Sequence, residues 1–391
     1  MLLSRLPRLS SPVSSSLFSA ASTARRAMST SPSLRRPVQL LAPQELAKLL
    51  QQEGAGASSG KERGDDVVVL DASWFMPNLQ PPRDPWAEFR KKRIEGAGFW
   101  HLDQISSTSD VGVPHNVPSK EHFEDACSRL GISRGSHVVF YDSQGVFSSP
   151  RAAFTFKHFS HPLVSILDGG LPRWIAEGLP TSSTSPSNPN PHEALLPGQQ
   201  KARYQPIFSE LLYAVKPRVE SYFIADIEEL FTEYRVGEGE ERRDTRGWEE
   251  VRANAERGEG EGDAVLDARP AGRFHGTDPE PRAGLSSGHI PHSLSLPFPA
   301  VLSEPSNTDP SYKTVKSPEE LQGVFEKALG REEWEKVKGG ERGVVTTCGS
   351  GMTAAILWLA LQRAGVSEKV GLYDESWTGY ASRPESKIVK S

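Results

Sequence analysis

VVTTCGSGMTAAILWLAL, residues 344–361, holds one of the two cysteines in a chain of 391 residues, at the join between two kinds of pattern. Val344–Thr346 is a short β-branched run with the composition of a buried strand, and the apolar run after Met352 has the length and make-up of a buried helix. Between them lie Cys348 and the turn Gly349-Ser350-Gly351-Met352. A strand–turn–helix of this kind aims successive backbone N–H groups at the centre of the turn and adds the positive end of the helix dipole. Both favour negative charge, so a sulfur placed there is expected as thiolate. Glycines at 349 and 351 let the backbone curl around it without a Cβ clash. Cys348 is therefore read as a nucleophile. Gly349, Gly351, Met352 and Thr353, where the helix begins, are its amide cradle, and Ser350 is a candidate proton relay beside it.

Working outward, the same pattern occurs twice. "VVLDASW" (68–74) recurs as "AVLDARP" (264–270), 196 residues later, and "RIEGA" (93–97) matches "HIPHS" (289–293) at the same offset. "SKEHFEDACSRLG" (119–131) resembles "SPEELQGVFEKALG" (317–330) at 198. "HVVFYD", ending at Asp142, matches "GVVTTC", ending at Cys348, and Asp168 matches Asp374, both at 206. Five blocks in one order at nearly constant offset mark two copies of one unit. In each copy short β-branched runs (67–70, 138–141, 164–167; 265–266, 344–346, 370–373) alternate with helical patterns, the signature of an α/β fold whose parallel strands are joined by crossover helices. Cys127 falls on the apolar stripe of a helix capped by Ser119, so it is a core thiol. The first copy carries Asp142 where the second carries Cys348. That copy has no cysteine at this position, and its carboxylate is expected to repel anions.

The outline of the chain follows. Residues 1–36 are Arg-rich and Ser-rich; six arginines and no acid fall before residue 45, leaving a charge of −11 on the rest of a chain whose net charge is −5. That pattern predicts a mitochondrial transit peptide, with Met28 as a second start giving a cytoplasmic form. Residues 37–180 form the first, non-catalytic unit, 181–204 a Pro/Ser/Asn-rich linker, and 205–385 the second, catalytic unit. Residues 236–263 read as a mobile, acidic, Gly-rich insertion. The acidic body offers no footprint for nucleic acid, no apolar run is long enough for a membrane span, and two isolated cysteines form neither a disulfide framework nor a metal cluster.

Two cysteine chemistries use such a cradle. A cysteine phosphatase needs an Arg six positions after its nucleophile; here that position is Ala354, so a phosphate dianion has no clamp. A persulfide carrier needs room for one extra sulfur among N–H donors, which this loop suits.

The pair of units, with "CGSGMTA" (348–354), "LDGGLPRW" (167–174), "GRFHGTDPEPRAG" (272–284) and "YDESWTGY" (373–380), resembles the tandem-domain rhodanese family. It is closer to the 3-mercaptopyruvate sulfurtransferase branch than to the thiosulfate branch. The likeness covers roughly residues 38–385 outside the linker and the insertion. It implies two rhodanese domains, each a parallel sheet flanked by helices, with the site in the second copy at the domain interface. It further implies a small-molecule sulfur donor, a thiol acceptor such as thioredoxin (or cyanide), and no metal or organic cofactor. The thiosulfate branch follows its cysteine with Arg and Lys; here Gly349 and Ser350 follow, leaving a site less suited to a compact dianion. By motif match, Arg273 and Arg282 hold the carboxylate and carbonyl of mercaptopyruvate. A Ser–His–Asp relay discussed for the family matches Asp84 in "RDPWAEF", but Arg93 stands where the histidine belongs and cannot act as a base at neutral pH, which leaves it to steer anionic donors. The rival reading is a relay adaptor that takes persulfide sulfur from one protein and delivers it to a tRNA-thiolation or ubiquitin-like carrier pathway.

Overall fold

The computed structural model describes residues 36–56, 66–183, 236, 244–304, 312–366 and 368–391. The expected transit peptide with Met28, linker residues 184–204 and residues 237–243 of the expected insertion lie outside the described residues.

In chain order the first unit contains β1 (Gln39–Leu41), α1 (Pro43–Gly56), β2 (Val67–Asp71), α2 (Pro85–Lys91), β3 (Arg93–Ile94), β4 (Gly98–Phe99), α3 (Leu102–Ile105), α4 (Lys120–Arg129), β5 (His137–Tyr141), α5 (Ser149–His158), β6 (Val164–Leu167), α6 (Gly170–Ala176) and β7 (Thr181–Ser182). The second contains β8 (Thr245–Arg246), α7 (Trp248–Ala255), β9 (Ala264–Asp267), α8 (Ala271–His275), β10 (Ser293–Ser295), a 3-10 turn (Phe298–Val301), α9 (Pro318–Leu329), α10 (Arg331–Lys338), β11 (Val344–Thr347), α11 (Ala354–Arg363), β12 (Val370–Tyr373) and α12 (Ser376–Ala381). The two main sheets run β1-β6-β5-β2-β4 and β8-β12-β11-β9-β10. Every pairing in them is parallel. The repeat read from sequence is thus a repeat of topology: β2 matches β9, β5 matches β11 and β6 matches β12. Local signals place the crossover helices. Ser119 Oγ accepts from His122 N at the start of α4, and its counterpart Ser317 forms a reciprocal capping box with Glu320 at the start of α9.

The stretch expected as an acidic insertion is corrected over its described part. Thr245–Arg246 is an edge strand, pairing with Leu372 and Tyr373, and Trp248–Ala255 is a helix. Val251 and Ala255 bury one stripe of α7, and that spacing of four was masked by the charged residues on its other faces.

The units meet along equivalent helices. Residues Ala354–Leu361 of α11 are buried all round, as are most of α5, and Phe154 packs edge-on to Trp358 with ring centroids 5.1 Å apart. Burying each such ring contributes about 1.5–3 kcal/mol. Polar braces repeat the symmetry. Val117 N donates to Asp374 Oδ2 at 2.8 Å, and its counterpart Val315 N donates to Asp168 Oδ1 at 2.9 Å. Each duplicate aspartate therefore ties its own sheet to the other unit.

Candidate active site

Cys348 follows β11 directly, where the carboxyl ends of parallel strands leave a crevice. Its N–H donates to Ser376 Oγ at 3.0 Å, its carbonyl accepts from Trp377 N, and Ser376 Oγ lies 4.0 Å from the sulfur. Gly349 O accepts from both Thr378 N and Thr378 Oγ1, so α12 fixes the loop from one side. Gly351 has φ of +81°, and a Cβ there would lie 2.7 Å from Asp374 O. The turn closes only with glycine at that position.

The amides of residues 349–353 donate to no protein acceptor among the described residues. The first copy is different. Asp142, 0 % exposed, accepts five hydrogen bonds, from Gln144 N, Phe147 N, Ser148 N, Ser149 N and Ser149 Oγ. Its carboxylate fills the cradle of its own loop, so the expectation that it repels anions from the cleft is corrected: its charge is spent on amides inside the unit. The second copy carries Cys348 at the equivalent position, and its sulfur takes no hydrogen bond from the amides of residues 349–353.

Two arginines flank the sulfur. Arg273 Nη2 would sit 3.4 Å from a Cβ on Gly349, and Arg282 Nη1 donates to Thr378 Oγ1, which also holds Gly349 O. Burial pulls the Arg282 guanidinium down from its ordinary value, and the neighbouring Cys348 sulfur opposes that shift. Glu280, almost fully buried, orients Arg273 through its Nε and Nη2 and also takes Arg269 at 2.7 Å, while Arg269 closes on Asp267 and lies over the Trp377 ring at 4.2 Å. Acid and base alternate along Asp267–Arg269–Glu280–Arg273, which holds Arg273 rigidly at the loop. Cys348 itself is 2 % exposed. It is more enclosed than an open crevice mouth implies, because Met352 and α11 pack beneath it and α12 covers it.

The rhodanese-like domain model matches residues 60–177 and again 248–383. The chain belongs to the rhodanese family. Among curated relatives, the human protein named 3-mercaptopyruvate sulfurtransferase is 34% identical over 85% of this chain and 92% of its own length. The Arabidopsis thaliana protein named thiosulfate/3-mercaptopyruvate sulfurtransferase 1, mitochondrial, is 33% identical over 83% of this chain and 74% of its own. Among solved structures, a yeast mitochondrial complex I sub-stoichiometric sulfur transferase subunit is similar with a TM-score of 0.64 at 30% identity, covering 90% of this chain and 99% of that one. This rhodanese is a sulfurtransferase enzyme with two rhodanese domains, each a parallel sheet flanked by helices.

Of the site residues read from sequence, the structure brings Cys348, Gly349, Ser350, Gly351, Met352, Thr353, Arg273 and Arg282 to one loop cluster. Ser350 is buried in that turn, and its hydroxyl makes no hydrogen bond to a described protein group. For Asp84 and Arg93 the structure shows contacts within the first unit. Asp84 caps α2 by accepting from Trp86 N and Ala87 N, and Arg93 is buried in the first unit with its guanidinium over Phe89 at 5.1 Å. Both have local partners in the first unit.

Three residues were missed. Ser376, at φ +51°, touches the sulfur, and the sequence gives no cue for it. Arg151 of α5 reaches across the interface: it pairs with Asp374, Nη2 donates to His115 O at 2.6 Å, and Nη1 would lie 3.2 Å from a Cβ on Gly351. Its Nε and Nη1 are buried without a hydrogen-bond partner in the described protein, so a buried cation from the non-catalytic unit underlies the cysteine loop. An arginine inside the otherwise apolar "PRAAFTF" run was the available signal. His115, paired through Nε2 with Asp103 at 2.5 Å, is a histidine beside Arg151 at this interface.

Proposed function

We propose that the protein transfers sulfane sulfur from 3-mercaptopyruvate to a thiol or cyanide acceptor through a persulfide on Cys348. The observation that carries this reading is the contrast between the two cradles: one filled by Asp142, the other offering the amides of residues 349–353 to the charge on a sulfur. In the first step the Cys348 thiolate attacks the donor sulfur. The S–S bond forms as the donor C–S bond breaks, and the electron pair passes to carbon as the enolate of pyruvate. Arg273 and Arg282 hold the donor's carboxylate and carbonyl and stabilise that enolate, which then takes a proton. Loop amides, Arg151 beneath the loop and the Ser376 hydroxyl favour the anionic outer sulfur that remains. An acceptor thiolate attacks that sulfur, the S–S bond breaks, and the Cys348 thiolate returns. Ser350, beside the cysteine in sequence, relays a proton in either half in this reading.

Gly349 and Ser350, neutral where the thiosulfate branch carries Arg and Lys, favour mercaptopyruvate over the compact thiosulfate dianion. The name of the Arabidopsis relative supports a mitochondrial location; the matrix, and a cytoplasmic form beginning at Met28, rest on the Arg-rich N-terminal sequence alone. The likeness to a subunit of a respiratory complex favours, as a second reading, a protein acceptor. Domain limits of 37–180 and 205–385 remain part of this proposal.

Cys348→Ser should abolish transfer from both donors in steady-state assays while leaving the circular dichroism spectrum unchanged. Turnover retained by that variant refutes the nucleophile. Turnover of mercaptopyruvate by the wild type that appears only when a second protein is added replaces the enzyme reading with the relay reading.

A further inference from the structure

A cavity of about 540 Å³ opens in the first unit, between α2 and α6 and over the carboxyl ends of β2 and β5. By the repeat it is the counterpart of the catalytic crevice. Asp71, Ser73, Ser143 and Leu171 in its wall stand where the second unit has Asp267, Arg269, Gly349 and Trp377. In the second unit the Arg269 guanidinium pairs with Asp267 and lies over Trp377, filling this space. Serine and leucine in their places leave it open.

The lining has a definite chemistry. Phe89, Leu171, Pro172, Ile175 and Ala176 make an apolar wall, and Lys91 and Lys92, both exposed, stand at the rim. Neither lysine pairs with another described residue. The rim's own carboxylate, Glu88, is already held by Arg83 through Nε and Nη2. At the floor, the Ser143 hydroxyl is buried without a hydrogen-bond partner in the described protein. Burial also pushes Asp71 up to about 7, so below neutral pH it bears a proton instead of a repelling charge. The reactive position is blocked, because the Asp142 carboxylate occupies the loop.

We propose that this cavity binds, without reacting, a small organic carboxylate with an apolar body, its charge at Lys91 and Lys92 and its body against Phe89, Leu171 and Ile175. The volume lies in the range of small-ligand pockets, and a mostly apolar wall with a few polar groups is what such pockets use. An uncompensated pair of cations at the rim selects an anion over a neutral or cationic ligand.

The test is titration of phenylacetate, with neutral phenylacetamide as its near-isostere, into the full protein by calorimetry and ligand-observed NMR. Three proteins are compared: wild type, the surface double variant Lys91→Glu/Lys92→Glu, and Leu171→Trp, which restores the bulk present in the other copy. Saturable phenylacetate binding to wild type is expected, weakened by about tenfold or more in the charge-reversed protein and for the amide. Alkylation of Cys348 should leave that binding unchanged, which separates this site from the catalytic crevice and from the fate of the sulfur-transfer reading. Equal affinity in wild type and the charge-reversed protein, absence of saturation, or loss of binding on Cys348 alkylation would overturn the proposal. The lysine variant alters only exposed side chains, so the comparison stands even if Leu171→Trp fails to fold.

Discussion

Replacing Asp142 by alanine tests the idea that the first unit's cradle is filled from within. The variant removes a fully buried carboxylate that accepts four backbone N–H bonds and one hydroxyl bond from its own loop. Hydrogen bonds to a charged group contribute about 1.5–3 kcal/mol each, but loop relaxation and water entry recover much of the sum, so a net loss of about 4 kcal/mol is expected. Cys348→Ala removes no acceptor of loop amides and leaves only a small cavity, for about 1 kcal/mol. Differential scanning calorimetry should therefore show the first-unit transition of Asp142→Ala falling by about 10 °C, with Cys348→Ala close to wild type. Asp142→Asn, which keeps one acceptor oxygen, should fall between them. Equal stabilities for Asp142→Ala and Cys348→Ala would refute the reasoning, since the two loops would then have the same internal satisfaction.

Two further outcomes follow from particular atoms. Gly351→Ala places a Cβ against Asp374 O at positive φ; the left-handed conformation alone costs about 1–2 kcal/mol, and the shift it forces on the loop should lower turnover by about a hundredfold. Gly349→Ala meets only Arg273 Nη2, at 3.4 Å, and should keep wild-type stability in urea melts; a Gly351→Ala protein with full turnover would count against the loop geometry. Asp71 titrates near 7 in the folded protein against an ordinary 3.8, with burial as the leading cause, so between those values the folded state binds more protons than the unfolded. Stability should accordingly fall as pH rises from about 4 to about 7 and level off above, by at most about 4 kcal/mol, and Asp71→Asn should remove that slope. Urea melts of both proteins at pH 5 and pH 8 check it, and parallel pH profiles would contradict it.

The duplicated topology was legible because strand cores such as Val138–Tyr141 and Val344–Thr347 are continuous β-branched or aromatic runs, and because the two copies keep their order. The edge strand Thr245–Arg246 was not legible: a two-residue strand takes its conformation from its neighbour β12, not from its own composition. Around Cys348, the nest and its two arginines could be read from one continuous turn and two short motifs. Ser376 and Arg151 could not. They reach the loop through tertiary folding, one from a residue held at positive φ and the other from the opposite unit, and neither distance has a trace in local spacing. For Asp84 a motif match suggests a relay, and the structure adds a local role: followed by Pro85, it caps α2.

Whether Cys348 carries sulfur is read most directly by mass spectrometry of the protein after brief exposure to 3-mercaptopyruvate without acceptor. One added sulfur atom, localised to the Cys348 peptide, absent from the Cys127 peptide and removed by a thiol acceptor, is the expected result. An unmodified Cys348 in protein that has released pyruvate, or sulfur found on another residue, would contradict the account.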